Sequence, residues 1–569
     1  MTVNNGLRRP IVREGAPDAP GAPNGEPTPL PVSELAAPAV PAVEARTGPQ
    51  AYGDGPAGGA SGPIFVVNGE IHRAVDQAIC VLSDPALGIF ARGDELVRAV
   101  VYDVPKGMLT VAKAGENVRR PFGSITLSSL TDVALVEVLT RHAKFKKWDA
   151  RASGFVGCNC PIEVARMILA GRGHDWTMPR LRAIISAPTL RQDGTVIAEP
   201  GYDAETGLLL VGERLWRHTP DSPSKRDALD ALDVLGEPLT GFPFVGNADR
   251  TAALALLITS VLRPSLRTAP MFAVTAPAAG SGKSLLVDVA AILATGRKAA
   301  VVTPTPDEAE LEKRIGAAAL AGDQVLSVDN VTHILRSDQL CQMLTQDEVQ
   351  VRVLGASKNV RIPSTSLICA TGNNLTIYGD LNRRTIRIRL DAGCEQPDAR
   401  QFDFDPTAVA LNKRAELVAA ALTIVRAHLV AGSPERAAPM GSFEDWSGTV
   451  RSALIWLGMG DCRGDVEAMR EDDPEKAELA EIIEVLPRRR FTVREVAAMV
   501  AGDDTMKDVL ESFIGRGGAF SAKRFGRYLA RYKDTLIGGR KIAQVATDRL
   551  GAIWQVQDEV GQGAPPAEW

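Results

Sequence analysis

Residues 271–286 read MFAVTAPAAGSGKSLL. The first six are a short apolar run suited to a buried strand, and the stretch that follows the lysine, LLVDVAAILATG, continues as a helix. Strand, glycine-bearing turn, then helix is the setting in which a phosphate-binding loop works. There the N–H groups of the turn and of the helix N-terminus converge on an anion. Lys283 is expected to pair with the β- and γ-phosphates of ATP and Ser284 to hold Mg²⁺, with Ala279, Gly280, Ser281, Gly282 and Leu285 completing the cradle. Pro277 stands where the usual pattern has its first glycine. It removes one N–H at the entrance of the loop, where that donor is least needed.

Two further apolar runs end in polar residues. VLSV (325–328) runs into Asp329-Asn330, and SLICATG (366–372) into Asn373-Asn374. An acid at the end of a buried strand can bind Mg²⁺ directly or through water, the role expected of Asp329. Asn330 cannot take a proton, so either Asp329 also activates the attacking water or a carboxylate from elsewhere does. Asn373 is expected to sense the γ-phosphate. In GDLNRRTIRIRLD (379–391), Arg383 and Arg384 precede another strand and could reach the γ-phosphate bound to a neighbouring subunit. Each motif alone is weak; their order along about 110 residues makes them strong.

Between the second and third strands, DEVQVRVLGASKNVRIPST (347–365) alternates valines with polar residues, turns at GASKN and returns. It reads as a β-hairpin with Lys358 near its tip and Arg352 on one arm. A cation at such a tip could contact phosphates without reading bases.

The rest of the chain places this core. Residues 1–62 are rich in Pro, Ala and Gly and read as a disordered arm. Residues 63–225 read as a small α+β domain. HRAVDQAICVLSD looks helical, LVRAVVYDV and MLTVAKA look like strands, SLTDVALVEV opens as a capped helix, and Asp193-Gly194 marks a hairpin turn. Asp103 and His174 are isolated there, so no nucleotidyl-transfer site is recognised. In HAKFKKWDA (142–150) the mixture of basic and aromatic residues is read as core packing of Phe145 and Trp148. Residues 226–430 alternate helix and strand, implying a mostly parallel sheet; 431–480 read as helical, burying Phe443, Trp446, Val450 and Leu454. Residues 481–569 end in a helix, a Gly-Gly turn and two strands, the outline of a winged helix with a flexible tail. Lys523, Arg524, Arg527 and Arg531 form a stripe along that helix, suited to duplex phosphates. The expected fold class is therefore α/β, a P-loop core between an N-terminal α+β domain and a C-terminal helical, winged-helix domain.

A net charge of −5 confines nucleic-acid contacts to local basic patches, and an aromatic content of 5% argues against a surface built mainly of stacking platforms. No run approaches the ~18 apolar residues of a membrane span, and the N-terminus lacks the apolar stretch of a signal peptide, so the cytoplasm is the expected location. Seven scattered cysteines suit a reducing compartment, and Cys158 and Cys160 have the wrong spacing for a zinc pair.

APAAGSGKS, VLSVDN, VRVLGASKNVRIPSTSLICATGNN and GDLNRRTIRIRLD together resemble the AAA+ helicases of superfamily 3. They are more similar still to the replicative helicases of phages, prophages and plasmids often labelled primase/helicase. The likeness extends over roughly residues 120–480, taking in APTLRQDGTVIAEPGYDAETGLL and FEDWSGTVRSALIWLG. It implies a homo-oligomeric ring, a hexamer, with ATP and Mg²⁺ between subunits and single-stranded DNA in the pore, gripped by the Lys358 hairpin. A bifunctional primase-helicase, an ATP-switched initiator that binds DNA without unwinding it, and a defence or signalling ATPase are the other readings. On this resemblance Lys358→Ala should leave basal ATP hydrolysis largely intact while removing DNA stimulation and strand separation. Equal loss of both activities, measured on one preparation, would count against the pore role.

Overall fold

The computed structural model describes residues 62–101, 118–173, 176–212, 216–353, 359–394, 397, 404–464, 474–515, 518–548 and 551–558. The Pro/Ala/Gly-rich arm (apart from Gly62), the MLTVAKA segment, Asp103, His174 and Lys358 lie outside the described residues.

The N-terminal part opens with β1 (Ile64–Val66) and α1 (Ile71–Leu82), then β2 (Ile89–Arg92), β3 (Glu95–Val101), β4 (Val118–Arg119) and β5 (Ile125–Ser129). Next comes α2 (Asp132–His142), whose N-cap Thr131 accepts the Ala134 N–H as the sequence implies. The helix stops there, and Phe145–Asp149 is strand β6, paired with β7 (Gly154–Cys158) ahead of α3 (Ile162–Ala170). Strands β1, β6 and β7 form one sheet and β2, β3 and β5 another. Two small hairpins follow the short strand β8 (Ala183–Ile185). They are β9 (Thr189–Leu190) with β10 (Val196–Ile197), closed through Asp193-Gly194, and β11 (Gly201–Asp203) with β12 (Leu208–Leu210).

Past α4 (Lys225–Gly236) and α5 (Asn247–Leu262) lie β13 (Met271–Ala276), α6 (Lys283–Thr295), β14 (Ala300–Val302), α7 (Glu308–Ala321) and β15 (Val325–Val328). Then come α8 (Asp338–Thr345), the hairpin β16 (Glu348–Arg352) and β17 (Asn359–Pro363), β18 (Leu367–Asn373) and β19 (Thr385–Arg389). The main sheet has the order β19-β13-β18-β15-β14-β4, parallel except for β4. Its strands are buried on both faces, which is why they read as unbroken apolar runs rather than as alternations. α5 is buried nearly all round against this sheet.

β4 comes from the segment expected to form a separate N-terminal domain. It supplies the edge strand of the main sheet, and Val118, Ala187 and Leu190 belong to the central core. The boundary expected near residue 225 is therefore crossed. Arginines fasten the two parts. Arg92 donates to the Ala319 and Leu320 carbonyls at the end of α7, and Arg182 to those of Pro264 and Leu266. Arg414, at the start of α10 (Arg414–Val430), which follows α9 (Pro406–Asn412), donates to the last carbonyls of α6 and to that of Ser186. Helix ends leave such carbonyls without partners, and a guanidinium satisfies several at once. Burial pushes the guanidinium of Arg92 down to about 10 and that of Arg414 to about 9.

Within 431–480, a helix with one wide turn spans 444–456 and buries Phe443, Trp446, Val450 and Leu454 in the central core, as expected. The Trp446 indole donates to the Thr259 hydroxyl at 2.8 Å. Helix Pro474–Val485 instead sends Leu479, Ile482 and Ile483 into the C-terminal cluster with Phe491, Phe525 and Trp554, so that unit begins before residue 481. Its other parts are helices Val493–Val500, Asp504–Val509 and Ala522–Arg531 and a sheet of β20 (Phe491–Thr492), β21 (Leu536–Ile537), β22 (Arg540–Asp548) and β23 (Gly551–Asp558). The Gly538-Gly539 turn joins β21 to β22, and β22 pairs with β23 in order β20-β23-β22-β21. No helix among the described residues is long and apolar enough to cross a membrane.

Arg120 meets Asp323 through paired bonds of 2.7–3.0 Å, with both side chains almost buried. Burial raises the Asp323 carboxyl while the guanidinium opposes it. Arg120→Leu strands that carboxylate and should cost about 3–5 kcal/mol at neutral pH. Thermal unfolding should show a lower Tm, with the deficit shrinking as acid protonates Asp323, and Arg120→Leu/Asp323→Leu recovering most of it.

Candidate phosphate-binding site at the sheet edge

The loop between β13 and α6 is shaped by two glycines, Gly280 at φ +77° and Gly282 at φ +90°. L side chains rarely adopt this conformation, and a Cβ on Gly282 would also come within 3.2 Å of the Phe242 ring. Pro277 is exposed at the entrance. Ser281 turns inward and donates to the Ala278 carbonyl at 2.9 Å, closing the loop on itself. Ala279, Gly280 and Ser284 are exposed and Leu285 is half-buried.

Register then brings the partners in. β13 and β18 pair with Ala276 opposite Asn373, and β15 and β18 with Val328 opposite Ala370. Asn373 and Asp329 therefore reach the loop from adjacent strand ends. The Lys283 ammonium donates to the Ala278 carbonyl at 2.9 Å and to Asn373 Oδ1 at 2.7 Å. Burial lowers its pKa, opposed by the Asp329 carboxylate. Ser284 donates to Asp329 Oδ1 at 2.6 Å. A second hydroxyl, from Thr371, donates to the same oxygen at 2.7 Å and accepts the Asn330 N–H at 2.9 Å.

Thr371 is the member that sequence reading missed. The available signal was a β-branched hydroxyl residue two before Asn373, at the end of a strand neighbouring the acid. Asn330 sits at φ +60° and Asn374 at φ +44°, where asparagine is among the best tolerated side chains. That gives Asn330 a backbone reason to stand where an acid was sought. Both hydroxyl contacts fall on Oδ1 of Asp329, and no protein donor reaches Oδ2 among the described residues.

The other expected site residues lie apart from this cluster. Arg384 is held within the fold of its own chain: it donates to the Cys341 carbonyl at 3.0 Å and to the Thr345 hydroxyl, at the end of α8, and pairs with Asp380. Arg383 also pairs with Asp380, but its side chain is 58% exposed against 13% for Arg384. Of the two, Arg383 is the one placed to reach outward.

In the β16–β17 hairpin Val349, Val351, Val360 and Ile362 are buried and Arg352 and Arg361 exposed, so the alternation holds. The turn between β2 and β3 closes on it so tightly that a Cβ on Gly93 would lie 1.6 Å from the Arg361 carbonyl oxygen. Lys523, Arg524, Arg527 and Arg531 are all exposed on the helix Ala522–Arg531, opposite buried Phe525 and Leu529.

Among the described residues no group of three or more His, Cys, Asp or Glu side chains could hold a metal ion. A single carboxylate flanked by hydroxyls suits Mg²⁺ that takes its other oxygens from phosphate and water. The chemistry of Lys283, Ser284 and Asp329 therefore fits a magnesium-bound nucleoside triphosphate.

No family model matches the chain, and no curated protein matches it. Among solved structures, an A-form apo structure of the NrS-1 C-terminal region overlaps at a TM-score of 0.29 and 12% identity, covering 76% of this chain and 94% of that one. An apo structure of the same region gives 0.31 and 12%, over 78% and 96%. JCV helicase with a bound thiazolopyridine phenyl-acetamide compound gives 0.19 and 14%, over 43% and 69%.

Because Arg384 closes the end of α8 and Arg383 does not, the two should separate in a stability measurement. Arg384→Ala should lower Tm by a few degrees, whereas Arg383→Ala should leave it within about 1 °C. Equal shifts in differential scanning calorimetry would mean that the two arginines share one structural role.

Proposed function

We propose that this chain is a ring-forming, ATP-dependent DNA helicase of AAA+ architecture, acting in replication of a phage, prophage or plasmid. The observation that carries the reading is the cluster in which Lys283 meets Asn373 while Ser284 and Thr371 converge on Asp329, at the carboxyl edge of a parallel sheet. Ligand sites in open α/β sheets lie at that edge.

Residues 279–285 would hold the phosphates, and Ser284 with Asp329 the Mg²⁺. Bound ATP would supply the anhydride whose cleavage releases energy. Lys283, held in place by the Ala278 carbonyl and Asn373, would neutralise phosphate charge as a preorganised cation. Thr371 fixes the Asp329 carboxylate, leaving Oδ2 free of protein donors, so the acid that activates water is Asp329 itself or a carboxylate outside this cluster. Asn373, held by the Lys283 ammonium, is placed to change partner when phosphate arrives. Arg383 would complete the site of a neighbouring subunit in a hexameric ring. The hairpin carrying Arg352 and Lys358 would follow single-stranded DNA, and the basic helix of a winged-helix C-terminal unit would meet duplex.

The test is ATP hydrolysis and strand separation on a forked DNA. Lys283→Ala should abolish both. Thr371→Val, which keeps the shape and removes the hydroxyl, should weaken Mg²⁺-dependent hydrolysis about 10–100-fold. Hydrolysis that survives Lys283→Ala would remove the basis for a motor, and hydrolysis without strand separation would favour an ATP-switched initiator.

A further inference from the structure

The β1-β6-β7 sheet has one covered face and one open face. Ile64 and Phe145 point inward, packing with Leu82, Leu135, Leu139 and Ile168 of α1 to α3. Register puts Phe65 beside Lys146 and Trp148 opposite Phe155, so all four residues share the outward face. The side chains of Phe65, Trp148 and Phe155 are 42%, 58% and 41% exposed. Trp148, expected in the core, is thus on the surface, because β6 is a strand and alternation turns residue 148 away from residue 145.

The three rings touch without stacking on one another. Phe65 and Phe155 lie edge to face at 4.8 Å between centroids, and Trp148 and Phe155 at 5.5 Å. Beside them on β7, a Cβ placed on Gly157 would meet nothing within 4 Å, so the face is uncovered there. Val67, just past β1 and two residues after Phe65, is an exposed aliphatic side chain near the rings, at 38%. Lys146 stands in the middle strand, Lys144 precedes it on the same parity, and Arg151 lies in the β6–β7 turn; none forms an ion pair among the described residues. The nearest acid in sequence, Asp149, is turned back onto the N–H groups of Arg151 and Ala152 at 2.8 and 3.0 Å.

Exposed rings beside cations that have no ion-pair partner among the described residues match bases and phosphates; rings alone would also suit an interface between protein copies, but lysine is depleted at such interfaces and here stands among the rings. We propose that this face is a single-stranded DNA-binding platform, with Phe65, Trp148 and Phe155 stacking bases and Lys146 holding the backbone. The choice of DNA over RNA rests on the proposed helicase function; the platform itself does not require nucleotide hydrolysis.

The experiment measures binding of a fluorescein-labelled oligodeoxythymidylate of about 16 nucleotides by anisotropy, without nucleotide, to the full chain carrying Lys283→Ala. Trp148→Ala and Phe155→Ala should each weaken binding about tenfold. Trp148→Phe, which keeps a ring, should restore most of the affinity. Lys146→Gln should reduce the slope of log affinity against log salt by about 0.7. These side chains are on the surface, so circular dichroism and Tm should be unchanged. Affinity indifferent to both Trp148→Ala and Phe155→Ala would overturn the platform. So would a change in oligomeric state with DNA binding intact, and tighter binding of the matching oligoribonucleotide would overturn its assignment to DNA. Because the background lacks Lys283, failure here leaves the helicase reading standing, and loss of strand separation elsewhere leaves the platform standing.

Discussion

The shared carboxylate oxygen of Asp329 is the point on which the candidate site depends. Two hydroxyls from different elements, Ser284 on α6 and Thr371 on β18, converge on Oδ1. Those contacts exist only because three parallel strands end together in fixed register. A shift of one residue in β18 would turn Thr371 to the other face of the sheet and carry Asn373 away from Lys283. The parallel core is thus the positioning device for the site as well as the bulk of the buried apolar surface.

Around that core the fold is held by arginines that enter from other segments and end on backbone carbonyls. Arg92, Arg182 and Arg414 donate to carbonyls in this way, whereas Arg120 pairs with the carboxylate of Asp323. Such contacts explain how a short strand from the N-terminal part can belong to the main sheet. They also explain why the N-terminal turn at Gly93 lies directly against the β16–β17 hairpin. Any movement of that hairpin is felt by the N-terminal sheets, because the contact is between backbones and has no side chain to yield.

The aromatic face extends the picture. A chain with 5% aromatic residues has few rings to spend, yet three of them stand on one exposed sheet face beside Lys146. Composition averages over the whole chain and is blind to such a local gathering. The face lies on the same N-terminal part that the arginines fasten to the core, so a strand held there would be held by the body that carries the phosphate-binding loop.

What the sequence determined by itself is what short-range chemistry encodes. Gly280 and Gly282 mark the loop because left-handed backbone there excludes side chains. The apolar runs ending in Asp329 and Asn373 announce buried strands, and alternating valines announce the hairpin. Tertiary structure decided the rest. It selected Thr371 as a partner of Asp329, gave Asn330 a backbone role, and separated Arg383 from Arg384 by burying one against α8. It also took β4 across an expected domain boundary and moved Trp148 from core to surface. None of these is written in neighbouring residues, because each depends on which strand lies beside which and on where the chain's helices leave carbonyls unpaired.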